Sequence, residues 1–307
     1  MSPEDPQWPR AADWLASGGD PHGPSLAVLG VPLSRTSLSA SGAHETPAAV
    51  RAALRRYSTY SAELDVDLES LSVVDHGDLS VAGLDGPAAL AEIAARVAEL
   101  PRADLLVTLG GDNALTRPVL VGLAGGDLGR VGLLTLDAHH DVRSFYAGPT
   151  NGNPVRGLVE DGLAARHVVQ IGLGDFSNSR AYRRWCADRG ITVVTAGQAR
   201  ADGVGACVRR HLHRLAAGCD WVYVDLDVDV LDSAFAPGCP GARPGGLMPH
   251  ELLDAAREAG RHAAVRAVDI VEVDATADLG GRTVDTAALC LLAAAAGVAS
   301  RRGPAMI

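Results

Sequence analysis

Short apolar runs recur along this chain, and polar or glycine-rich breaks separate them from longer segments with helical spacing. Runs at 25–31, 71–75, 104–109, 131–136, 167–173, 191–195, 221–226 and 265–271 predict strands buried on both faces. Between them, apolar positions recurring at helical intervals predict helices at 46–54, 86–100, 114–123, 155–162, 179–189, 204–217, 249–259 and 284–298. Thr46-Pro47 offers a cap and an early proline, and Pro101 follows the end of 86–100. Strands alternating with helices throughout imply an α/β fold of parallel βαβ units, its sheet covered on both faces. Residues 1–24, rich in Pro, Gly and Asp, read as an irregular arm. No break in composition and no repeat divides 25–307, which reads as one domain.

Two of the predicted strands end in an unusual way. Leu133-Leu134-Thr135-Leu136 runs straight into Asp137-Ala138-His139-His140-Asp141, and Trp221-Val222-Tyr223-Val224 into Asp225-Leu226-Asp227-Val228-Asp229. Carboxylates are poor strand formers and costly to bury unpaired. Placing them at the tips of apolar strands calls for a compensating cation or a water-filled crevice; two such tips suggest one shared site, and a metal is the simplest compensation. In open parallel sheets, sites form beyond the carboxyl ends of strands. Gly110-Gly111-Asp112-Asn113, the 137–141 cluster, the 227–229 cluster and Glu272 all fall at such ends.

Composition narrows the picture further. Aromatic residues make up 4% of the chain, so its core is to be built from Ala, Val and Leu. The chain has no lysine, and all 27 basic residues are arginines. A formal net charge of −10 argues against nucleic acid as a partner, because phosphate binding needs basic patches. The five cysteines form no CxxC pair and read as unpaired thiols in a reducing compartment. No basic flank and apolar run opens the chain, and no uncharged apolar run reaches membrane-spanning length. The expected location is the cytoplasm, with no membrane partner.

The ordered motifs 110–113, 137–141, Asp227-Val228-Asp229-Val230-Leu231-Asp232, Phe235-Ala236-Pro237-Gly238, Pro244-Gly245-Gly246 and Val271-Glu272-Val273 resemble those of the ureohydrolases. That family comprises arginases, agmatinases and formimidoylglutamases, and the match spans roughly 29–278. The resemblance implies a three-layer αβα sandwich around a mostly parallel sheet, two Mn²⁺ ions, and hydrolysis of C–N bonds in guanidine or amidine groups. It also implies a homo-oligomer, a trimer or a hexamer. By position, Asp137, His139, Asp141, Asp227 and Asp229 match family metal ligands, with Asp137 and Asp227 bridging. Asp225 does not fall on a ligand position. Glu272 matches the acid that pairs with the substrate's cationic carbon–nitrogen group.

Two positions depart from the family pattern. Asn113 stands where the first motif usually has a ligand His, and it either ligates through its amide oxygen or hydrogen-bonds to a ligand. A neutral amide oxygen binds Mn²⁺ less strongly than imidazole, so one metal position is weakened. Asn151 stands where a proton-shuttling His is usual, and it is expected to contact substrate or shape its loop. His140, Arg143, 149–152, 176–179 and 236–240 lean toward the formimidoylglutamase subgroup. The implied reaction is Mn²⁺-dependent hydrolysis of N-formimidoyl-L-glutamate to L-glutamate and formamide, a step of histidine degradation. Asp141 is then the proton acceptor and carrier. Arg143 and Arg156 are the first candidates for the substrate's two carboxylates, because guanidinium binds carboxylate bidentately. Two other readings stay open: a guanidine hydrolase releasing urea from guanidinobutyrate, agmatine or a related compound, and a non-catalytic metal-binding scaffold or sensor.

Overall fold

Every apolar run named above becomes a strand, and each lies in one sheet. The structure is a computed structural model that describes residue 5 and residues 7–302. In chain order its first elements are α1 (Ala11–Ser17), β1 (Ser25–Val31), α2 (Thr46–Ala53), β2 (Tyr60–Ser61), β3 (Val66–Asp67) and β4 (Ser72–Asp78). Next come α3 (Gly86–Ala98), β5 (Leu105–Gly110), α4 (Thr116–Ala124), β6 (Val131–Leu136), α5 (Pro154–Glu160) and β7 (Val168–Leu173). Then follow α6 (Arg180–Arg189), β8 (Thr192–Thr195), α7 (Ala196–Asp202) and α8 (Val204–Ala216). The last are β9 (Trp221–Asp227), α9 (Pro249–Arg261), β10 (Val265–Val271) and α10 (Arg282–Ala299).

The eight-stranded sheet has the order β4-β1-β5-β10-β9-β6-β7-β8, and all its pairings are parallel. β2 and β3 form a separate antiparallel pair. Apolar side chains of α1, α2 and α7 to α10 pack on one face of the sheet, and those of α3 to α6 on the other. The result is the expected αβα sandwich. Helix α10 is long and apolar enough to cross a membrane, yet most of it is buried against α9 and α2 as a core helix.

The expected arm is a correction. Residues 1–4 and 6 lie outside the described residues, but 11–17 are helical rather than irregular. Ala11, Trp14 and Leu15 are buried there, and Gly18 closes the helix in a left-handed conformation. The buried stripe is too short for its periodicity to stand out among prolines and glycines. Helix α7 also escaped the pattern; a Thr195–Gln198 capping box starts it directly after β8.

One register row breaks the apolar rule for a doubly covered sheet. Thr108, Asp269, Asp225, Thr135 and Gln170 are partners on the adjacent strands β5, β10, β9, β6 and β7. All five are buried. A polar band thus crosses the middle of the sheet, just below the ends where the acidic motifs emerge.

Candidate metal centre and active site

Four neighbouring strands at the centre of the sheet deliver the site. Beyond the carboxyl end of β5 lie Asp112 and Asn113; beyond β10, Glu272; at the tip of β9, Asp227 and Asp229; beyond β6, Asp137, His139 and Asp141. Side chain–backbone hydrogen bonds fix the loops. Asp137 accepts from His139 N at 2.5 Å, Asp227 from Asp229 N at 2.8 Å, and Asp229 from Ala138 N at 3.1 Å. Asp141 and Glu272 hold left-handed backbone, at φ of 53° and 64°. Such strain in non-glycine residues persists only where the surroundings over-determine it, and it gathers at functional sites. Gly111 lets β5 end against the Leu33 backbone, because a Cβ there would stand 1.9 Å from the Leu33 carbonyl oxygen.

The predicted ligands converge as two groups. Ligand atoms of Asp137, His139 and Asp229 lie within 4.8 Å of one another, and so do those of Asp137, Asp141 and Asp227. Asp137 belongs to both. The four aspartates are buried, and Asp137 Oδ2 has no hydrogen-bond partner among the described residues. Burial, with the neighbouring carboxyls added, pushes Asp137 up to about 7 and drives Asp141 and Asp227 well above the usual carboxylate range. Burial alone would lower the His139 imidazole, yet Asp229 at 2.7 Å and Asp137 at 3.5 Å outweigh it and raise it to about 12. A protonated imidazole is standing where positive charge is wanted. Hard, oxygen-rich donors with one imidazole fit a pair of divalent cations such as Mn²⁺ rather than a structural zinc.

Glu272 closes the other side. Its Oε1 accepts from Asn113 N at 2.8 Å and from Asn151 Nδ2 at 3.0 Å. Burial and the nearby Asp112 carboxyl push Glu272 up to about 8 despite those bonds. A cavity of about 150 Å³ opens above both groups, and His139, Asp141, Asp227, Asp229 and Glu272 face into it.

Three comparisons with known proteins bear on this arrangement. Residues 24–296 match the model of the arginase family. The chain belongs to the arginase family. A formimidoylglutamase of Halalkalibacterium halodurans is 38% identical over 272 residues, covering 87% of this chain and 85% of that protein. The crystal structure of formimidoylglutamase from Bacillus subtilis superposes with a TM-score of 0.89 at 34% identity, covering 98% of this chain and 95% of that one. Trypanosoma cruzi formiminoglutamase with Mn²⁺ shares the fold, with a TM-score of 0.86 at 23% identity over 96% of this chain and 99% of that one.

Within this arginase-family site, the remaining predicted residues divide. Arg143 lines the cavity and lies over Gly152, with no carboxylate partner among the described residues. Asn151 also lines it, held by Leu38 N on its Oδ1 at 3.0 Å. Arg156 does not reach the cavity and is a correction: on α5 it turns outward, bonding Glu160 at 2.9 Å and lying over Trp185. One helical turn separates Arg156 from Glu160, and that local pair decides its direction.

Of the two roles left open for Asn113, the structure shows the hydrogen bond to ligands. Its Nδ2 donates to Asp141 Oδ2 at 2.8 Å and to Asp227 Oδ2 at 3.1 Å, while its Oδ1 faces Thr116 Oγ1 at 2.6 Å. The two carboxylates draw the donor end of the amide. His140 points away from the ligands and meets Gln170 Oε1 through Nδ1 at 2.7 Å. The Cys239 thiol is buried, and burial with Asp229 and Glu272 nearby pushes it well above the usual thiol range, so it stays protonated.

Sequence reasoning missed Arg243. It lines the cavity, donates to the carbonyls of Pro240 and Ala242, and has no carboxylate partner among the described residues. It directly precedes the Pro244-Gly245-Gly246 motif, but nothing in that motif marks the arginine itself; the return of the 231–247 segment over the strand ends brings it in.

Proposed function

We propose that this chain hydrolyses N-formimidoyl-L-glutamate to L-glutamate and formamide, using two Mn²⁺ ions. One cavity carries the reading: two guanidinium groups without an acidic partner among the described residues, Arg143 and Arg243, share it with Glu272 and the ligand carboxylates. A substrate with two carboxylates and one cationic amidine matches that charge pattern. Agmatine, a dication, does not.

Asp137, Asp141, Asp227, Asp229 and His139 would hold the ions. When bound, divalent cations there supply a water nucleophile at neutral pH and polarise the reacting group. Glu272, fixed by Asn113 N and Asn151, accepts hydrogen bonds from the amidine's cationic NH₂ and orients its carbon toward the ligand cluster. Arg143 and Arg243 bind the substrate's carboxylates and draw the glutamate portion to the rim. Asp141, facing the cavity, takes the proton from the attacking water and passes it to the leaving nitrogen. His140 takes no part, because its ring turns to Gln170. A place in histidine degradation, a cytoplasmic setting and a trimeric or hexameric assembly belong to the same proposal. Five free, buried cysteines support the reducing compartment.

The deciding assay follows formamide and urea from Mn²⁺-loaded protein given formimidoylglutamate, guanidinobutyrate and agmatine. Formamide from the first substrate at the highest kcat/KM supports the proposal. Faster urea release from a guanidino acid replaces it, and no turnover on any of the three leaves a non-catalytic protein. Arg243→Ala should raise KM for formimidoylglutamate about ten- to a hundredfold, the worth of a charged hydrogen bond.

A further inference from the structure

A second cavity, of about 690 Å³, opens beyond the ends of β7 and β8. It shares one lining residue, Asn178, with the cavity over the ligand groups. Asn178 is a wall between the two: its Oδ1 accepts from His140 N at 2.9 Å, and its Nδ2 donates to Ala138 O at 2.8 Å.

Three arginines line this second cavity, Arg180, Arg183 and Arg200, against one carboxylate, Asp175. The guanidinium groups of Arg180 and Arg183 have no hydrogen-bond or carboxylate partner among the described residues. Arg200 is tied down through Nη1 alone, which donates to the carbonyls of Gly245 and Gly246 at 3.0 and 2.9 Å. On a chain of net charge −10, a concave set of unpaired guanidinium groups draws anions.

His140 is the buried polar residue of the lining, at 2% exposure. Gln170 decides which of its ring nitrogens carries hydrogen. Gln170 Nε2 donates to the His140 carbonyl at 2.8 Å, so its Oε1 is the end that meets His140 Nδ1, at 2.7 Å. An amide oxygen only accepts, and Nδ1 is therefore the donor. In the neutral ring Nε2 then holds a lone pair, and it has no hydrogen-bond partner among the described residues. An occupant of the cavity thus meets cations and one acceptor. A bare dianion answers only the cations, whereas a dianion with a hydroxyl answers both.

We infer that this cavity is a binding site for a small dianion carrying a hydroxyl group, such as hydrogenphosphate, with Arg180 and Arg183 on its charge and His140 Nε2 on its hydroxyl. The site lies apart from the proposed reaction and is read from binding alone. A failure to release formamide would leave it standing.

The test is calorimetry on the Mn²⁺-loaded full chain at low salt and about pH 8, where an ordinary imidazole is neutral. Phosphate, which keeps one hydroxyl there, should bind about three- to tenfold tighter than sulfate, which has none, the worth of one hydrogen bond. Arg180→Ala and Arg183→Ala should each weaken both anions by about tenfold or more, as losses of charged hydrogen bonds. His140→Phe should make phosphate and sulfate alike. Arg143→Ala combined with Arg243→Ala should leave phosphate binding within about twofold, because those residues line the other cavity. No saturable binding of phosphate, equal affinity for the two anions, or native affinity in Arg183→Ala overturns the inference. Loss of phosphate binding in the Arg143 and Arg243 double variant does so as well, by placing the anion over the ligand groups. Arg180 and Arg183 are exposed, so their variants decide the matter even if His140→Phe fails to fold.

Discussion

The two ligand groups share Asp137 and little else. Asp137, His139 and Asp229 include an imidazole that already carries a proton in the cation's place; Asp137, Asp141 and Asp227 have no imidazole and meet the N–H end of an amide. A cation entering the first group displaces one proton from a ring. Entering the second, it must neutralise buried carboxyls raised well above their usual range and contend with Asn113. The lesson is that the group with more carboxylates, three against two, is not thereby the stronger site. What stands opposite the carboxylates sets the order of filling, and the imidazole group should fill first.

Losing the shared residue tests that division most severely. Asp137→Ala should empty both groups and cut turnover by at least about a thousandfold, given the several kcal/mol that bound cations contribute. Metal analysis finding one ion at native affinity would show that the groups do not share it. Next in size, Asn113→His should make the groups alike, tightening the weaker ion by about tenfold. Two Mn²⁺ dissociation constants as far apart as in the native chain would break the comparison.

The pH response sharpens it. In the ion-free protein Asp137 sits at about 7 and Glu272 at about 8, and His139 at about 12. In the unfolded chain carboxyls titrate near about 4 and imidazole near about 6.5. The native state thus binds more protons than the unfolded state between those limits, so stability must fall as pH rises through them. Melting of chelator-treated protein should drop steadily from about pH 5 to about pH 8, and Mn²⁺ should reverse that trend because ions and protons compete. A flat ion-free profile would mean that these carboxyls are not raised. The smallest effect belongs to a control outside both groups. Arg156→Ala breaks a surface pair worth at most about 1 kcal/mol and should leave kcat/KM within about twofold.

Much of this was legible before any fold was drawn. Runs such as 131–136 and 265–271 emerge as strands at those bounds, because parallel strands buried on both faces carry an unbroken apolar signal. Asp137 to Asp141 and Asp227 to Asp229 announce themselves through density: several costly side chains at one strand tip. The rest lacked that density. Arg243 is a single arginine in a long return loop. The band from Thr108 to Gln170 consists of one polar residue on each of five strands, and only their register joins them. Arg156 follows a simpler rule, since its partner is one helical turn away and loop proximity says nothing about direction. Asn113 was read at the right place with two roles open, because sequence does not say which end of an amide faces a site.

Strand order carries a final consequence, for biosynthesis. The ribosome delivers β5 and β6 early, yet β9 and β10 belong between them. A chain made as far as residue 220 therefore lacks the two central strands, and the inner edges of β5 and β6 that will receive them have no partner yet, the kind of edge that invites wrong pairing. Nothing in that intermediate can grip an ion firmly, because Asp227, Asp229 and Glu272 have yet to arrive. Manganese therefore cannot bridge the two halves of the sheet before its centre has been made. It can only lock a sheet whose centre has been filled last.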